Sequence, residues 1–571
     1  MTLLNELEFR NVFRVGLFCI VSAWLVFSRV FELTPDGLER DRVSRVDPAI
    51  KRATTNRLNG PLPIPAETRI LSFRNGERPM SPCRLIDRSA AALLTAGLAL
   101  AGLTAPVLGA DLADDPRVAN AVRLWSEWVE YQAGTDRVPG VSWGIVHDQD
   151  LIASGAFGQA NPSDGIPAGT ETLYSICSIS KLFTSIALMQ QREAGRVRLD
   201  DPVAEHLDWF DIEDAHPGDE AITVRRLLTH SAGLPRESDF PYWTDADYPF
   251  PSPEALQARL EEQQTLYPAS RYFQYSNLGL SLVGEIVSAV SGQSYPDYMR
   301  EQLLGPLGMD DTYTDIPVEL RGDEMAIGYT ALDRNGERQV VAPFQTRGIA
   351  PAAGFASNVE DLAKFAMWQF HVLDGADRDL LGAASLREMQ RVHWIDPDWE
   401  TTWGLGFSVV REGDRTFARH GGACPGYYTE FRAEPATRIA AIVLTNAIGA
   451  SPGLYAAKAF DLIGPAIAEA KDSPDELTEP GVDVEPYTGV YGSIWGQSVV
   501  VPWKDGLALL GLGSMSPAED MARLEYVEGH AFRRIREDGD TPGETVRFEM
   551  GPDGMARSFV RHSSRAVRIE R

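Results

Sequence analysis

Ser178 and Lys181 stand three residues apart, just where the apolar run from Leu182 to Met189 begins. Residues at that spacing share a helix face. The lysine amine then hangs beside the serine hydroxyl, and the free N–H groups of the first turn offer positive potential to a developing oxyanion. The chemistry this allows is attack by an activated serine on a carbonyl carbon. The commonplace alternative is a serine capping a helix with a lysine pointing at water. Two facts weigh against it. The chain has six lysines against 47 arginines, and Lys181 lies among Leu182, Phe183, Ile186, Ala187 and Leu188. Such a pattern predicts a buried helix, and burial lowers an amine's pKa toward that of a usable base.

A serine and a lysine still need a proton relay and an oxyanion hole. Tyr275-Ser276-Asn277 follows a turn-and-strand segment and precedes the helical run from Leu278 to Val287. In an extended stretch Tyr275 and Asn277 face the same way. They supply a phenol to pass a proton and an amide to hold a substrate carbonyl or the lysine. The competing reading is a packing aromatic followed by a helix-capping asparagine. A third segment, His420-Gly421-Gly422-Ala423-Cys424, reads as a strand with a bare edge. Its glycines remove side chains where a substrate backbone would approach, leaving the Ala423 N–H as a second oxyanion donor opposite that of Ser178. A glycine-rich hairpin with a surface histidine is the alternative.

These three motifs, in this order, resemble the serine β-lactamase and penicillin-binding-protein superfamily, above all class C β-lactamases, their esterase relatives and D-Ala-D-Ala carboxypeptidases. There the second motif is Tyr-x-Asn and the third Lys-Thr-Gly or His-x-Gly, matching Tyr275/Asn277 and His420/Gly422. The likeness spans roughly residues 115 to 470 and includes Leu227–Pro235, Gly305–Thr312, Gly354–Leu362 and Trp403–Phe407, which look like scaffold segments. His230, inside the first of these, reads as structural. Histidine in place of the third-motif lysine is commoner in the esterase and peptidase branches than in true β-lactamases, which puts antibiotic hydrolysis in doubt.

What the resemblance implies is acyl transfer. Ser178 attacks, Lys181 and Tyr275 move its proton, the N–H groups of Ser178 and Ala423 hold the oxyanion, and Asn277, His420 and Gly422 line the substrate. The expected activity is an exported serine hydrolase acting on a small ester, amide or peptide. β-Lactam or D-Ala-D-Ala hydrolysis is the enzymatic alternative, and a silent binding or sensor protein on the same scaffold is the non-enzymatic one. The resemblance also implies a Cys177–Cys424 disulfide, because the same two positions are bridged in some class A carbapenem-hydrolysing enzymes; the residues alone leave two buried free thiols equally open.

Gly449-Ala450-Ser451-Pro452-Gly453 also matches a nucleophile elbow, after the strand-like Ile439–Thr445. The elbow needs the N–H of the residue after its serine, and Pro452 has none. Ser451 is therefore read as a loop residue. The formal net charge is −28, with 44% hydrophobic residues. So acidic a chain disfavours nucleic acid and anionic membranes as partners, and the nine histidines form no metal-ligand pattern. No cofactor is expected, and the expected partner is a small-molecule or peptide substrate.

The amino terminus carries two apolar runs, Val15–Phe27 and the uncharged Ser89–Ala110. The second, begun by Met80 with Arg84 and Arg88 before it and small residues ahead of Asp111, reads as a signal peptide or as a membrane anchor of spanning length. Residues 1–79 are then a disordered extension or sequence upstream of the true start, 80–110 the signal or anchor, 111–472 the catalytic domain and 473–571 a C-terminal β-domain. Either reading exports the catalytic part, to the periplasm or the medium. Cys19 and Cys83 fall in the part expected to be lost.

The fold class expected is α+β: a β-lactamase/transpeptidase-like antiparallel sheet flanked by helices, a helical subdomain carrying Ser178 and Tyr275, and a small all-β barrel-like domain. The sheet is predicted from a helix over Val118–Tyr131, a hairpin over 138–160 turning at 148–150, and strands near 404–410, 415–420, 428–434 and 438–445. Beyond Pro480 short alternating strands, including Gln497–Trp503 and Val546–Met550, and turns at Lys504-Asp-Gly and Pro552-Asp-Gly predict the β-domain. It resembles the lipocalin-like barrel appended to some members of the superfamily and could shape substrate access or pack on the core.

Overall fold

A computed structural model describes residues 112–570 apart from 219, 376–379, 475–476, 478–479 and 537–540. The readings of 1–79 and 80–110, of Met80 as a start, of cleavage near Asp111, and of Cys19 and Cys83 lie outside the described residues. Among the described residues no helix is long and apolar enough to cross a membrane.

Helix α1 (Pro116–Thr135) leads into the hairpin β1 (Gly140–His147) and β2 (Asp150–Asn161). Helices α2 (Ser180–Glu193), α3 (Asn277–Ser291) and α4 (Val359–Leu373) belong to a long insert. Strands β3 (Ser408–Glu412), β4 (Arg415–Cys424), β5 (Tyr427–Glu434) and β6 (Ile439–Thr445) follow, and then helix α5 (Pro452–Asp472). The sheet order is β2-β1-β6-β5-β4-β3, antiparallel, with two-residue strands adding to both edges.

Every residue of β1 is buried, because helices cover both faces and the alternation along each strand divides the side chains between them. Val141, Trp143 and Ile145 of β1, with Ala441 and Val443 of β6, pack against the apolar faces of α1 and α5. Ile442 and Leu444 face the other way, toward α2, α3 and α4. Helix α1 has the 3–4 spacing such a face requires, with Val118, Ala121, Leu124, Trp125 and Trp128 all buried. Its start is fixed by Asp115, whose carboxylate accepts from the Arg117 N–H, and by Pro116 in the first turn.

Strand β3 begins four residues later than the sequence suggests. Gly406 takes φ 80°, and a Cβ there would lie 2.0 Å from Ser185 Oγ, so the chain turns against α2 before the strand starts. Strand β4 runs unbroken to Cys424, so the segment near 415–420 and the third-motif strand from His420 are one element.

Eight strands then close a barrel: β7 (Gly489–Ser493), β8 (Gly496–Trp503), β9 (Gly506–Gly511), β10 (Ala522–Glu528), β11 (Ala531–Ile535), β12 (Pro542–Met550), β13 (Ala556–Arg561) and β14 (Ser564–Arg568). Pairing of β14 with β7 completes it, which leaves no open edge. The outer face of β8 and β9, through Val499, Val501, Ala508 and Leu510, joins the same apolar cluster as α1 and α5. The barrel thus docks on the helical layer that lies across the sheet from α2. Trp128 Nε1 donates to Ser514 O at 2.7 Å and Gln132 Nε2 to Leu512 O at 2.8 Å. Trp128→Phe is expected to lower stability to urea unfolding by about 2 kcal/mol or more, from one lost hydrogen bond and the buried surface of the missing ring. Gln132 Nε2 also reaches Ser514 O, at 3.3 Å, so that carbonyl keeps a donor. An unchanged unfolding midpoint would show that this contact does not hold the barrel.

Candidate active site

Ser178 lies in a short 3-10 turn, Cys177–Ile179, that runs directly into α2. The turn is held from both sides. Ile176 N donates to Phe355 O at 2.8 Å, and Phe355 N donates to Ser180 Oγ at 2.9 Å. Cys177 takes φ 49°, a left-handed conformation that costs a non-glycine residue about 1 kcal/mol or more. It is bridged to Cys424 at the end of β4, with the Cα atoms 5.7 Å apart. The bridge implied by the resemblance is present.

One turn on, Lys181 is fully buried. Its Nζ lies 3.1 Å from Ser178 Oγ, 2.8 Å from Asn277 Oδ1 and 2.7 Å from Ala352 O. Burial holds this amine well below the usual lysine range; the nearby Glu237 carboxylate opposes the shift and Arg236 adds to it.

Tyr275 and Asn277 both reach this point, though not along one continuous strand. Asn277 is the first residue of α3, and Ser276 is the cap, accepting from Gly279 N at 2.9 Å. The convergence therefore comes from the extended Ser276, which joins Tyr275 to a helix start. Tyr275 is half-buried, and Lys181 Nζ stands 4.8 Å from its ring centre. Burial pushes its phenol pKa up, against a hydrogen bond with Ser178.

His420 on β4 is almost fully buried. Its Nδ1 donates to Gly421 O at 2.7 Å, and burial, followed by the charge of Lys181, pushes its pKa down to about 3. It is neutral, with its ring 6.3 Å from that of Tyr275. A Cβ on Gly422 would fall 2.1 Å from Thr429 Oγ1 and 2.3 Å from Ile176 O. The missing side chain thus lets β4 press against the turn that carries Ser178, and protein, not substrate, fills the space. The last pairing of β4 with β3 is at Arg419, so residues 420–424 have one edge free of β3. Ala423 is exposed there.

Four groups at the site carry no local sequence signal for their roles. Glu237 Oε1 accepts from Asn277 Nδ2 at 2.8 Å and so turns Asn277 Oδ1 toward the lysine. Ala352 contributes only its carbonyl. Trp403 packs against Tyr275 and His420 at ring separations of 6.0 and 5.5 Å. His230, read as structural, stacks 4.3 Å from the Tyr275 ring and accepts the Ser276 N–H on Nδ1 at 3.1 Å. Ser451, by contrast, directly precedes α5, with Pro452 in the first turn, in line with its reading as a loop residue.

An antiparallel sheet and a helical insert that bring a serine and a buried lysine within hydrogen-bond distance define the class, and residues 98–463 match the family described as Beta-lactamase. The chain belongs to that family, whose members are serine hydrolases. Among its relatives are Beta-lactamase-like protein 2 of Dictyostelium discoideum, 24% identical over 70% of this chain and 76% of that one. Penicillin-binding protein 4 of Amycolatopsis lactamdurans is 28% identical over 64% of this chain and 96% of its own length. In structure the chain is similar to the octameric penicillin-binding protein homologue from Pyrococcus abyssi. The TM-score is 0.54 at 25% identity, covering 78% of this chain and all of that one.

Proposed function

We propose that this chain is an exported serine hydrolase that forms an acyl-enzyme on Ser178 with a small ester or amide. The observation that carries the reading is the environment of Lys181 Nζ. A free amine has two protons and one lone pair. Ala352 O and Asn277 Oδ1 accept the two protons, which leaves the lone pair for the Ser178 hydroxyl. Ser178 Oγ then attacks the carbonyl carbon as its proton passes to Lys181, with the Tyr275 phenol alongside to relay it to the leaving group. The N–H groups of Ser178 and Ala423 hold the oxyanion. The intermediate collapses by expelling an alcohol or amine, which takes up the proton, and water releases the acyl group by the reverse path. Asn277 and His420 position the lysine and the substrate.

The neutral His420 offers no cation to a substrate carboxylate, which favours esters and amides that lack one. A second reading, β-lactam or D-Ala-D-Ala peptide hydrolysis, draws on Arg236, whose exposed guanidinium lies over the Tyr275 ring at 4.9 Å. It also draws on the relative named as a penicillin-binding protein.

A panel of aryl esters, a chromogenic cephalosporin and D-Ala-D-Ala peptides separates the two. Trapping of the acyl-enzyme and mass mapping should place the adduct on Ser178; an adduct elsewhere, or turnover without one, would sink the proposal. The same panel gives the pH dependence. The working form of Lys181 is the free amine, so activity is present above its folded pKa and lost as pH falls through it. Because that pKa is lowered, kcat/KM should be nearly level between about pH 8 and about pH 10, where an ordinary lysine would still be deprotonating. The raised Tyr275 pKa adds no falling limb there. A tenfold rise per pH unit across that window would mean an unperturbed lysine.

A further inference from the structure

The barrel is filled at one end and hollow at the other. Tyr491, Phe532, Phe548 and Phe559 face inward and interlock at ring separations of 5.1 to 6.1 Å. Inward positions recur every second residue, and on four strands the next one is small: Ser498 after Val500, Gly511 after Leu509, Ala522 after Leu524 and Ser564 after Ala566. These four, with Leu509 and Phe559 as floor, line a cavity of about 750 Å³. That lies within the range of small-ligand sites, and eight strands are the number that can enclose one small ligand.

The same alternation turns two arginines into this space, Arg534 two residues after Phe532 and Arg561 two residues after Phe559, on either side of β12. Among the described residues neither has an ion-pair partner. Asp520, the acidic residue among those lining the cavity, accepts from Ser514 Oγ at 2.7 Å. In a chain of net charge −28, two guanidinium groups over an apolar floor with no ion-pair partner among the described residues are a specific arrangement. At the rim, on the β7–β8 turn, Trp495 lines the cavity and is 81% exposed.

We propose that the open end of the barrel binds a small amphipathic organic carboxylate, its head group held between Arg534 and Arg561 and its aliphatic body lying on Leu509, Phe559 and Ala566. Planar guanidinium groups match carboxylates in bidentate geometry, and the small residues supply the room. The site is separate from Ser178 and does not depend on the function proposed for it.

Decanoate and 1-decanol differ in the head group alone and test this on the full chain, with calorimetry for stoichiometry and Trp495 fluorescence as the local signal. One decanoate should bind per chain, at least tenfold more tightly than decanol. Arg534→Gln combined with Arg561→Gln should weaken decanoate at least tenfold and leave decanol and ester turnover unchanged. Absence of decanoate binding at millimolar concentration, equal affinity for the two compounds, or full decanoate affinity in the double variant would each overturn the proposal. The comparison on the wild-type chain stands alone if the double variant does not fold.

Discussion

Ser178→Ala is expected to abolish acylation and to lower kcat/KM by about 10⁴-fold or more, and Lys181→Met by about 10³-fold, in the range for loss of a nucleophile and of a general base. The two substitutions should not act additively, because the lysine has no task without the serine. Their effect on stability separates catalysis from structure. Lys181 is fully buried with three hydrogen-bonding neighbours, and keeping an amine out of water costs several kcal/mol. Methionine fills a similar volume without that cost but leaves Asn277 Oδ1 and Ala352 O without their donor, at about 1–3 kcal/mol each. The opposing effects nearly cancel, so the melting temperature should move by only a few degrees while kcat collapses. A variant that kept kcat, or that lost activity only in proportion to its folded fraction, would reduce Lys181 to a structural residue.

The motif residues could be read from the sequence because each is tied to a local signal: a serine and a lysine one turn apart, a tyrosine ahead of a helix start, a histidine ahead of two glycines. The sheet was legible for the same reason, since β1, β2, β5 and β6 carry runs bounded by clear turns. What holds the motifs in register was not. Glu237 orients Asn277 across a separation of 40 residues, and Ala352 O receives the lysine across 171. Neither leaves a periodic or spacing signature, because a carbonyl has no residue type and one carboxylate among 81 acidic residues does not stand out. His230, read as structural, stacks on Tyr275 and accepts the Ser276 N–H, contacts that no local pattern announces. Its φ of 56° falls two residues past the end of the short helix before it. Gly422 was read as making room for a substrate backbone, whereas the atoms that come close to it are Ile176 O and Thr429 Oγ1.

Removing the Cys177–Cys424 bridge, by reduction or by replacing both residues with alanine, is expected to cost about 5 kcal/mol of stability, because it releases a closed loop with a sequence separation of 247. Its position makes the consequence for activity larger than for an ordinary crosslink. One end adjoins Ser178 and holds a left-handed backbone conformation; the other adjoins Ala423 on β4. These are the two elements proposed to supply the oxyanion donors, so the bridge fixes the spacing between them as well as the folded state. Ser175 Oγ lies 3.3 Å from Cys424 Sγ, and Thr429 Oγ1 lies 3.2 Å from Ile176 O, so part of the contact survives reduction and the chain should remain folded at low temperature. The expected result is a lowered kcat with KM little changed, measured at a temperature where the reduced protein is still folded, together with a fall in melting temperature of many degrees. Full kcat after reduction would confine the bridge to stability, and an unchanged melting temperature would mean that the noncovalent contacts of β4 with the Ser178 turn already hold the two elements together.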